Sequence, residues 1–292
     1  MGLWLIKNSA HLKKIVTFEH RYAEQMVERH HYDMLLSDNR FGFYSRQAQS
    51  VYMTHQCRIA FPPMFSPFEP IGMLWHASVM RHFNEVWIPD LPEPPGYAGA
   101  LSHVSKCPVP VRYVGALSRF NNSAPLQSNG IKYKFAAVVS GVEPARSRFE
   151  NVLRKTLSEI PGHHVVVVGK PASGLRSWNE GNLEFHTHLP DDRFIEAIQS
   201  AEWVISRGGY STVMDMAVLG ARCVFVPTPG QYEQIVLGRD LSRMDYAVSV
   251  DESKLSAETL LAAISEKNGV ALPKPKSNDL LKKAVCHLFS DC

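Results

Sequence analysis

The sequence lacks several features that would assign it to a specialised class of protein. Its five cysteines are scattered and include no Cys-x-x-Cys pair, which argues against a disulfide framework or a zinc site and is typical of a reducing compartment. No apolar run approaches the roughly 18 residues of a membrane span. The N-terminal letters GLWLI are too few for the hydrophobic region of a signal peptide. We therefore expect a cytoplasmic protein.

An excess of charge of either sign is also absent. The chain has 31 lysines and arginines against 28 aspartates and glutamates, which gives a net charge of +3. This imbalance is too small to indicate a nucleic-acid-binding protein, although it is compatible with a phosphorylated substrate or an anionic membrane surface. The length of 292 residues allows one large domain or two domains of ordinary size.

The common nucleotide and metal motifs are missing as well. The chain contains no G-x-G-x-x-G sequence, and GHHVVVVGK does not have the spacing of a phosphate-binding P-loop. Its histidine clusters, at 30–31, 163–164 and 186–188, lack the sequence context of a metal site. We expect neither a metal ion nor a bound cofactor.

What the chain does contain is a regular alternation of short apolar segments with helix-like segments. The apolar segments, most of which end in polar residues, are MLLS, SVYMTHQ, EVWIPD and VRYVG, followed by YKFAAVVSG, HHVVVVGK, NLEFHTHL, EWVISRGG and ARCVFVPTPG. This order predicts an α/β fold with parallel sheets. In such sheets ligands bind at the carboxyl ends of the strands.

A polar stretch separates these segments into two series. ALSRFNNSAPLQSNGIK has little periodicity and is rich in Asn, Ser, Pro and Gly, which indicates a linker. We expect a short N-terminal Rossmann-like domain over 1–117, a linker over 118–132 and a C-terminal Rossmann-like domain over 133–292. A basic amphipathic helix over His11–His31 is compatible either with packing on the first sheet or with a membrane surface.

The stretch SRGGYSTVMD is the clearest candidate for an anion site. A strand leads into Gly208 and Gly209, and a helix follows that begins near Ser211 and Thr212. Glycines allow close approach of a phosphate to the backbone, and the N–H groups at a helix start attract anions. An ordinary capped turn explains the same residues. The spacing of Thr212 and Asp215 fits either a capping box or a carboxylate that binds ribose hydroxyls.

Two more strand ends carry candidate ligand contacts. In SGVEPAR, Ser140 and Arg146 are suited to a diphosphate, although Arg146 also fits an exposed helix position. In PTPGQYEQ, the polar side chains of Gln231, Glu233 and Gln234 are suited to a sugar, although a solvated loop before a helix has a similar composition.

The first series of strands offers a second set of polar residues. DNRFGFY and THQ both follow apolar strands and are typical of a cleft wall, and the imidazole of His55 is a candidate general base. A histidine with only a structural role explains the same position.

Together these residues resemble glycosyltransferase family 28 of the GT-B superfamily, which includes the N-acetylglucosaminyltransferase that makes the lipid-linked peptidoglycan precursor. The similarity rests on SRGGYSTVMDMAVLGARCVFVPTPGQYEQ and SGVEPAR in the second half, and on LLSDNRFGFYS, VYMTHQ, WIPD, GALSH and GALSRF in the first. The resemblance implies a metal-independent hexosyltransferase with two Rossmann-like domains that face a cleft. Its donor would be a UDP-sugar.

The resemblance also implies roles for individual residues. Asp215 would bind the donor ribose, Glu233 and Gln234 the sugar hydroxyls, and the backbone near Leu189 the uracil. The donor-binding residues would be Ser140, Gly141, Arg146, Leu189, Ser206, Arg207, Gly208, Gly209, Ser211, Thr212, Asp215, Gly230, Gln231, Glu233 and Gln234. The acceptor side would include Asn39, Arg40 and Gln56, with His55 and Asp38 as candidate catalytic bases.

The sequence departs from the family pattern at its start. Members usually open with a strand and a glycine-rich loop that carries a histidine, and this chain has no such segment. We therefore expect an N-terminal domain that is truncated by roughly 60 residues or more, or one that a partner polypeptide completes.

Three functions remain open. The first is transfer of a hexose such as GlcNAc from a UDP-sugar to an unknown acceptor, lipid-linked or a glycan. A lipid-linked acceptor would bring the protein to the inner face of a membrane as a peripheral protein. The second function is nucleotide-sugar binding by a subunit that needs a partner for activity. The third is epimerisation of a UDP-sugar at C2.

Overall fold

The computed structural model describes residues 9–121, 130–265, 267, 270–275 and 279–289. These residues form two α/β units. One unit extends to Leu117 and resumes at Pro275, and the other comprises Ser118–Lys274. No helix in these ranges combines the length and the apolar character needed to cross a bilayer.

The helices and strands alternate along both units. In chain order they are α1 (Ser9–His30), β1 (Met34–Asp38), β2 (Gln49–Met53), α2 (Glu69–Met80), β3 (Glu85–Ile88), β4 (Val111–Tyr113), β5 (Tyr133–Val138), α3 (Ala145–Ser158), β6 (His164–Val167), β7 (Ser177–Glu180), β8 (Leu183–His186), α4 (Asp191–Gln199), β9 (Ala201–Ser206), α5 (Tyr210–Leu219), β10 (Cys223–Phe225), α6 (Tyr232–Arg243), β11 (Val248–Ser249), α7 (Ala257–Ser265) and α8 (Asp279–Leu288). Short 3-10 turns lie at Pro63–Phe68, Gly99–Leu101, Pro171–Ser173 and Glu252–Lys254.

The first unit has a parallel sheet in the order β1-β2-β3-β4. Every residue of β3 is buried, because successive side chains of a strand point to opposite faces and both faces are covered. Val86 and Ile88 pack into one core cluster, whereas Trp87 packs into another. This double burial explains why the strand EVWI carries a nearly continuous apolar pattern.

Helix α1 is held on the first unit by both apolar and polar contacts. Ala23 and Val27 pack with Leu35 of β1. The structure therefore confirms the prediction that this helix packs on the first sheet. Glu19 accepts a hydrogen bond from the backbone N–H of Gly42 at 3.1 Å. Gly42 allows this approach because a Cβ atom there would lie 2.1 Å from the Val16 carbonyl oxygen.

The second unit has a larger sheet in the order β11-β10-β9-β5-β6-β8-β7. All of its paired neighbours run parallel except β7 and β8. Helix α3 covers one face with Phe149, Leu153 and Leu157, which are fully buried against the sheet. Because helices connect the parallel strands, the loops that follow the carboxyl ends of these strands all lie at one edge of the sheet.

The expected second domain, 133–292, differs from the structure at both ends. Phe120, assigned to the linker, is buried in the second unit and stacks on Phe194 with ring centroids 5.6 Å apart. Helix α8 packs on the first unit instead, where Ala284 joins the cluster of Val51 and Trp87. The apolar face of a helix can be read from its sequence, but the core that this face covers cannot. Residues 122–129 of the expected linker lie outside the described residues.

Candidate functional site

Three strand ends meet at the carboxyl edge of the second unit. Strands β10, β9 and β5 are neighbours, and their register pairs Ser206, the last residue of β9, with Val138 of β5 and Phe225 of β10. Because the strands are parallel and end at the same level, the loops that follow them lie side by side.

These loops surround a small cavity of about 90 Å³. The residues that line it are Ser140, Gly141, Val142, Ala145, Arg207, Gly209, Thr212, Thr228, Gln231 and Gln234. The structure thus brings together seven of the predicted donor residues, from all three loops. The sequence analysis did not predict Val142, Ala145 and Thr228. The sequence feature that could have indicated them is that they lie next to predicted residues in the loops after the strands.

The backbone around the cavity is open to a ligand. Gly141 has φ of +109°, and no atom lies within 4 Å of the place where its Cβ would be. Helix α5 begins after Gly209, which makes no side-chain cap hydrogen bond. The first N–H groups of a helix point out of its N-terminal end, and the N-terminus of α5 lies at this edge.

The capping-box interpretation of Thr212 and Asp215 is wrong. The residue at the N-cap is Gly209, not Thr212. The Asp215 carboxylate instead accepts a hydrogen bond from Ser118 Oγ at 2.6 Å. Burial raises the pKa of Asp215, whereas Ser118 and the charge of Arg119 act in the opposite direction. Asp215 does not line the cavity.

The loop after β10 is ordered by its own amides. The Oε1 atom of Gln234 accepts a hydrogen bond from the Thr228 N–H at 2.8 Å. The Nε2 atom of Gln234 donates to Oε1 of Gln231. Gly230 and Glu233 belong to the same loop and helix start but do not line the cavity. The two glutamines therefore present a linked pair of amides to it.

Arg207 lines this cavity and is almost fully buried. Its guanidinium donates to the carbonyl oxygens of Val226 and Pro227, each at 3.2 Å, and forms an ion pair with Glu252. It also stacks on Phe149, with Cζ 3.9 Å from the ring centroid. Burial lowers the pKa of Arg207, and Glu252 partly offsets this effect.

Arg146 does not line the cavity, contrary to the prediction that it holds a diphosphate. Its buried guanidinium pairs with Glu143 and Glu150 and donates to the Val168 carbonyl at 3.0 Å. Although burial alone would raise the pKa of Glu150, hydrogen bonds from Lys170 and Arg146 hold this pKa below its usual value. The positive charge of Arg146 is therefore balanced by Glu143 and Glu150, which lie about one helical turn before and after it.

The remaining predicted donor residues are distributed around this edge. Ser206 is fully buried, and its Oγ atom has no hydrogen-bond partner within the described residues. Gly208 packs beside Phe225: a Cβ atom placed on Gly208 would lie 3.5 Å from the Cβ atom of Phe225. Ser211 is exposed on α5. None of the three lines the cavity.

Leu189 lines a separate cavity of about 180 Å³ along α4. In this second cavity the Glu184 carboxylate accepts a hydrogen bond from Tyr133 Oη at 3.1 Å, and its other oxygen lies 2.8 Å from His186 Nε2. The structure therefore does not bring the Leu189 side chain into the cavity formed by the three loops.

The predicted acceptor residues lie at the carboxyl ends of β1 and β2 in the first unit. Asp38 ends β1, and Asn39, with φ of +56°, accepts a hydrogen bond from Tyr52 Oη at 3.1 Å. His55 and Gln56 follow β2, and their side-chain nitrogens are 3.4 Å apart. Arg40 is paired instead with Glu19 of α1.

The described ranges contain no group of three or more His, Cys, Asp or Glu side chains placed to hold a metal ion. The polar groups that line the three-loop cavity include the hydroxyls of Ser140 and Thr212, the guanidinium of Arg207 and the amides of Gln231 and Gln234. Such an arrangement of donors is suited to a diphosphate.

Comparison with known proteins finds a family match that covers most of the second unit and the start of α8. Residues 165–284 match the glycosyltransferase family 28 C-terminal domain. A stretch of 73 residues is 32% identical to the UDP-N-acetylglucosamine--N-acetylmuramyl-(pentapeptide) pyrophosphoryl-undecaprenol N-acetylglucosamine transferase of Bacillus pumilus (strain SAFR-032). The match covers 24% of this chain and 20% of that transferase. The matched part thus spans about a fifth of the curated relative.

The fold is similar to that of solved glycosyltransferases and of related sugar-nucleotide proteins. The glycotransferase of kitacinnamycin superposes with a TM-score of 0.61 at 14% identity, over 98% of this chain and 80% of that one. The S. aureus MnaA-UDP co-structure also gives a TM-score of 0.61, at 12% identity, over 95% of this chain and 80% of the other. At these identities the comparison shows the fold alone.

Proposed function

We propose that this chain, which carries a glycosyltransferase family 28 C-terminal domain, binds a UDP-sugar in the three-loop cavity and is a glycosyltransferase. The observation that carries the proposal is the meeting of the Ser140–Gly141 loop, the start of α5 and the Gln231–Gln234 loop around one cavity. Two of these three segments lie inside the matched domain.

The donor diphosphate would lie on backbone N–H groups. As the bond between the anomeric carbon and the diphosphate oxygen breaks, negative charge develops on that oxygen. The N–H groups at the start of α5, together with the Ser140 hydroxyl, would stabilise this charge. Fixed donors at this position are the feature that a metal-independent transferase needs.

The other half of the reaction needs an acceptor hydroxyl. Its oxygen would form the new bond to the anomeric carbon, and its proton would pass to a base as UDP leaves. His55 and Asp38, at strand ends of the first unit, are the candidates for this base. The amides of Gln231 and Gln234 would contact hydroxyls of the transferred sugar.

The curated relative supports a more specific proposal for the substrates. Its name describes transfer of N-acetylglucosamine to a pyrophosphoryl-undecaprenol acceptor. We accordingly propose GlcNAc or a related hexose as the donor sugar and a lipid-linked or glycan acceptor, with peripheral membrane contact. The family 28 match favours transfer over C2 epimerisation.

A nucleotide-sugar-binding subunit is the second candidate function. Such a subunit would need a partner polypeptide to complete the acceptor side. Release of UDP from UDP-GlcNAc in the presence of an acceptor separates the two candidates. A binding subunit alone would bind the donor without turnover.

Calorimetric titration tests the donor site. We expect binding of UDP and UDP-GlcNAc, with UDP-glucose as a competitor for sugar preference, and no binding of ADP-glucose or NAD. Gln234→Ala should weaken UDP-GlcNAc binding more than UDP binding, because we propose that its amide contacts the sugar. Gln25→Ala, at an exposed position of α1, is the control. Failure of every uridine nucleotide to bind would contradict the proposal.

A further inference from the structure

Arg207 was expected to bind the donor, but its surroundings indicate a different role. The side chains of Arg207 and Glu252 are 4% and 6% exposed, and they are paired with each other. A buried pair of opposite charges has no net charge to offer to an anion. The cavity also offers hydroxyls and side-chain amides, whose hydrogen-bonding capacity does not depend on this ion pair.

The guanidinium contacts each of the other segments that form this edge of the sheet. Nη1 donates to the carbonyls of Val226 and Pro227, which lead into the loop after β10. Nη2 donates to the Ala145 carbonyl at 3.4 Å, at the start of α3 and next to the loop after β5. Nη2 also donates to the carboxylate of Glu252, which belongs to the 3-10 turn after β11.

These contacts border the cavity. Ala145 lines the cavity itself, and Thr228 follows Pro227 in the chain. The Thr228 N–H in turn orients Gln234. A change in the position of Arg207 would therefore shift the loop after β5 and the amides after β10 at the same time.

We propose that Arg207 is a positioning residue that fixes the loops of the donor cavity, and that Glu252 holds its guanidinium in place. The planar fork of arginine makes this possible, because its N–H groups point in fixed directions that a lysine ammonium does not reproduce. The proposal rests on the proposed donor site but assigns Arg207 a role beside the ligand rather than on it.

The direction of one measurement separates positioning from direct contact. If Arg207 positions the loops, Glu252→Gln releases the guanidinium and weakens UDP binding by about tenfold or more, the effect of losing one well-placed hydrogen bond to a charged ligand. If Arg207 contacts the diphosphate, Glu252→Gln frees its charge and UDP binds equally well or more tightly. Calorimetry with UDP distinguishes these outcomes, and equal or tighter binding would overturn the proposal.

Further variants separate positioning from general stability. Arg207→Lys keeps the charge but loses the fork, so it should weaken UDP binding as Glu252→Gln does. The double variant Arg207→Met/Glu252→Gln removes both charges and leaves no unpaired buried ion, which is usually tolerated better than breaking the pair. We expect it to regain thermal stability without regaining affinity. Recovery of both would mean that the pair has only a structural role.

Hydrogen–deuterium exchange tests the positioning without any ligand. In Glu252→Gln the amides of 140–145 and 226–231 should exchange faster than in the unmodified chain. The matched control is Glu180→Gln, which disrupts a half-exposed ion pair with Arg154, a residue that also stacks on a ring, that of Phe185. It should leave both segments unchanged.

The two tests also separate this inference from the proposed function. If the unmodified chain does not bind UDP but Glu252→Gln accelerates exchange in both segments, the donor assignment fails and the positioning role stands. If UDP binds and exchange in these segments is unaffected by Glu252→Gln, the positioning role fails and the donor assignment stands.

Discussion

The carboxylate of Asp215 is a titratable group whose surroundings act on its charge in opposite directions. Burial raises its pKa, and the Ser118 hydroxyl and the charge of Arg119 oppose this rise. An aspartate with a raised pKa takes up a proton at a higher pH than an ordinary one. A ribose hydroxyl would then lose its charged acceptor as the pH falls.

We therefore predict that Asp215→Asn weakens UDP binding by about tenfold, because a hydrogen bond to a charged group contributes about 1.5–3 kcal/mol. The loss should shrink as the pH is lowered into the range where Asp215 becomes protonated. Calorimetry over a pH series measures it, and comparison with the variant cancels the titration of UDP itself. A variant that binds like the unmodified chain at neutral pH would contradict the role of Asp215.

Ser118 allows a second prediction about the same carboxylate. In Ser118→Ala the buried Asp215 loses its hydroxyl donor, which costs about 1–3 kcal/mol of stability at neutral pH. Ser118 stabilises the ionised form, so its contribution should be lost as the pH falls and Asp215 is protonated. Thermal unfolding at neutral and acidic pH measures this difference, with exposed Ser211→Ala as the control. An equal loss in an Asp215→Asn background would contradict the assignment.

The sequence predicted which residues line the cavity better than it predicted the roles of the arginines. Ser140, Gly209 and Gln234 were predictable because small and polar residues at strand ends follow from local sequence. The state of Arg207 depends on Glu252, which lies 45 positions further along the chain. Local patterns do not contain such a contact, so a buried ion pair and an anion-binding arginine have the same appearance in the sequence.

At the scale of elements, helix α2 carries a buried titratable group. His76 is 2% exposed, and its Nε2 lies 3.3 Å from Tyr52 Oη. Burial lowers the pKa of His76 to about 4, in spite of a hydrogen bond to the Cys57 backbone. The same Tyr52 hydroxyl donates to Asn39, so this network connects α2 with the end of β1.

Protonation of His76 should destabilise the first unit. A histidine has a pKa of about 6.5 when unfolded, so between about pH 6.5 and 4 the unfolded chain binds the proton more readily than the folded one. Stability contributed by neutral His76 is present above that window and is lost as the pH falls through it, by up to about 3 kcal/mol. His76→Gln should unfold at a lower temperature at neutral pH but show a smaller drop at pH 5. A drop equal to that of the unmodified chain would contradict this role.

Most elements could be predicted from the sequence because their patterns are local. Helix α2, Glu69–Met80, lies in the helix-like region between the apolar segments SVYMTHQ and EVWIPD. Strand β7 was missed because SWNE contains one large apolar residue and lies at the edge of the sheet, with alternating exposure. An edge strand needs no continuous apolar pattern, so the hydrophobic signal that revealed β6 is absent there.

At the scale of the whole molecule, the two units have separate cores. The second unit is complete within Ser118–Lys274, whereas the first includes α8 from the end of the chain. Leu281, Val285 and Leu288 of α8 pack on the cluster that contains Trp87. The last helix in the sequence is therefore required by the first sheet.

This division predicts that a chain ending at Lys274 loses stability in one unit only. Removal of α8 exposes the apolar cluster around Trp87, at about 1.5–3 kcal/mol for each large side chain that was fully buried. The first unit should unfold at a lower temperature, whereas UDP affinity, which depends on the second unit, should change by less than about threefold, a free-energy change of under 1 kcal/mol.

Calorimetric unfolding together with UDP titration tests this prediction. Val285→Asp in the full-length chain provides a milder disruption of the same contact, because it places a charge on the face of α8 that packs on the cluster. Lys282→Ala, at an exposed position of the same helix, is its control. If truncation abolished UDP binding while the second unit remained folded, the donor site would need more of the chain than residues 118–274. Since every residue that lines the three-loop cavity lies between Ser140 and Gln234, we expect binding to survive.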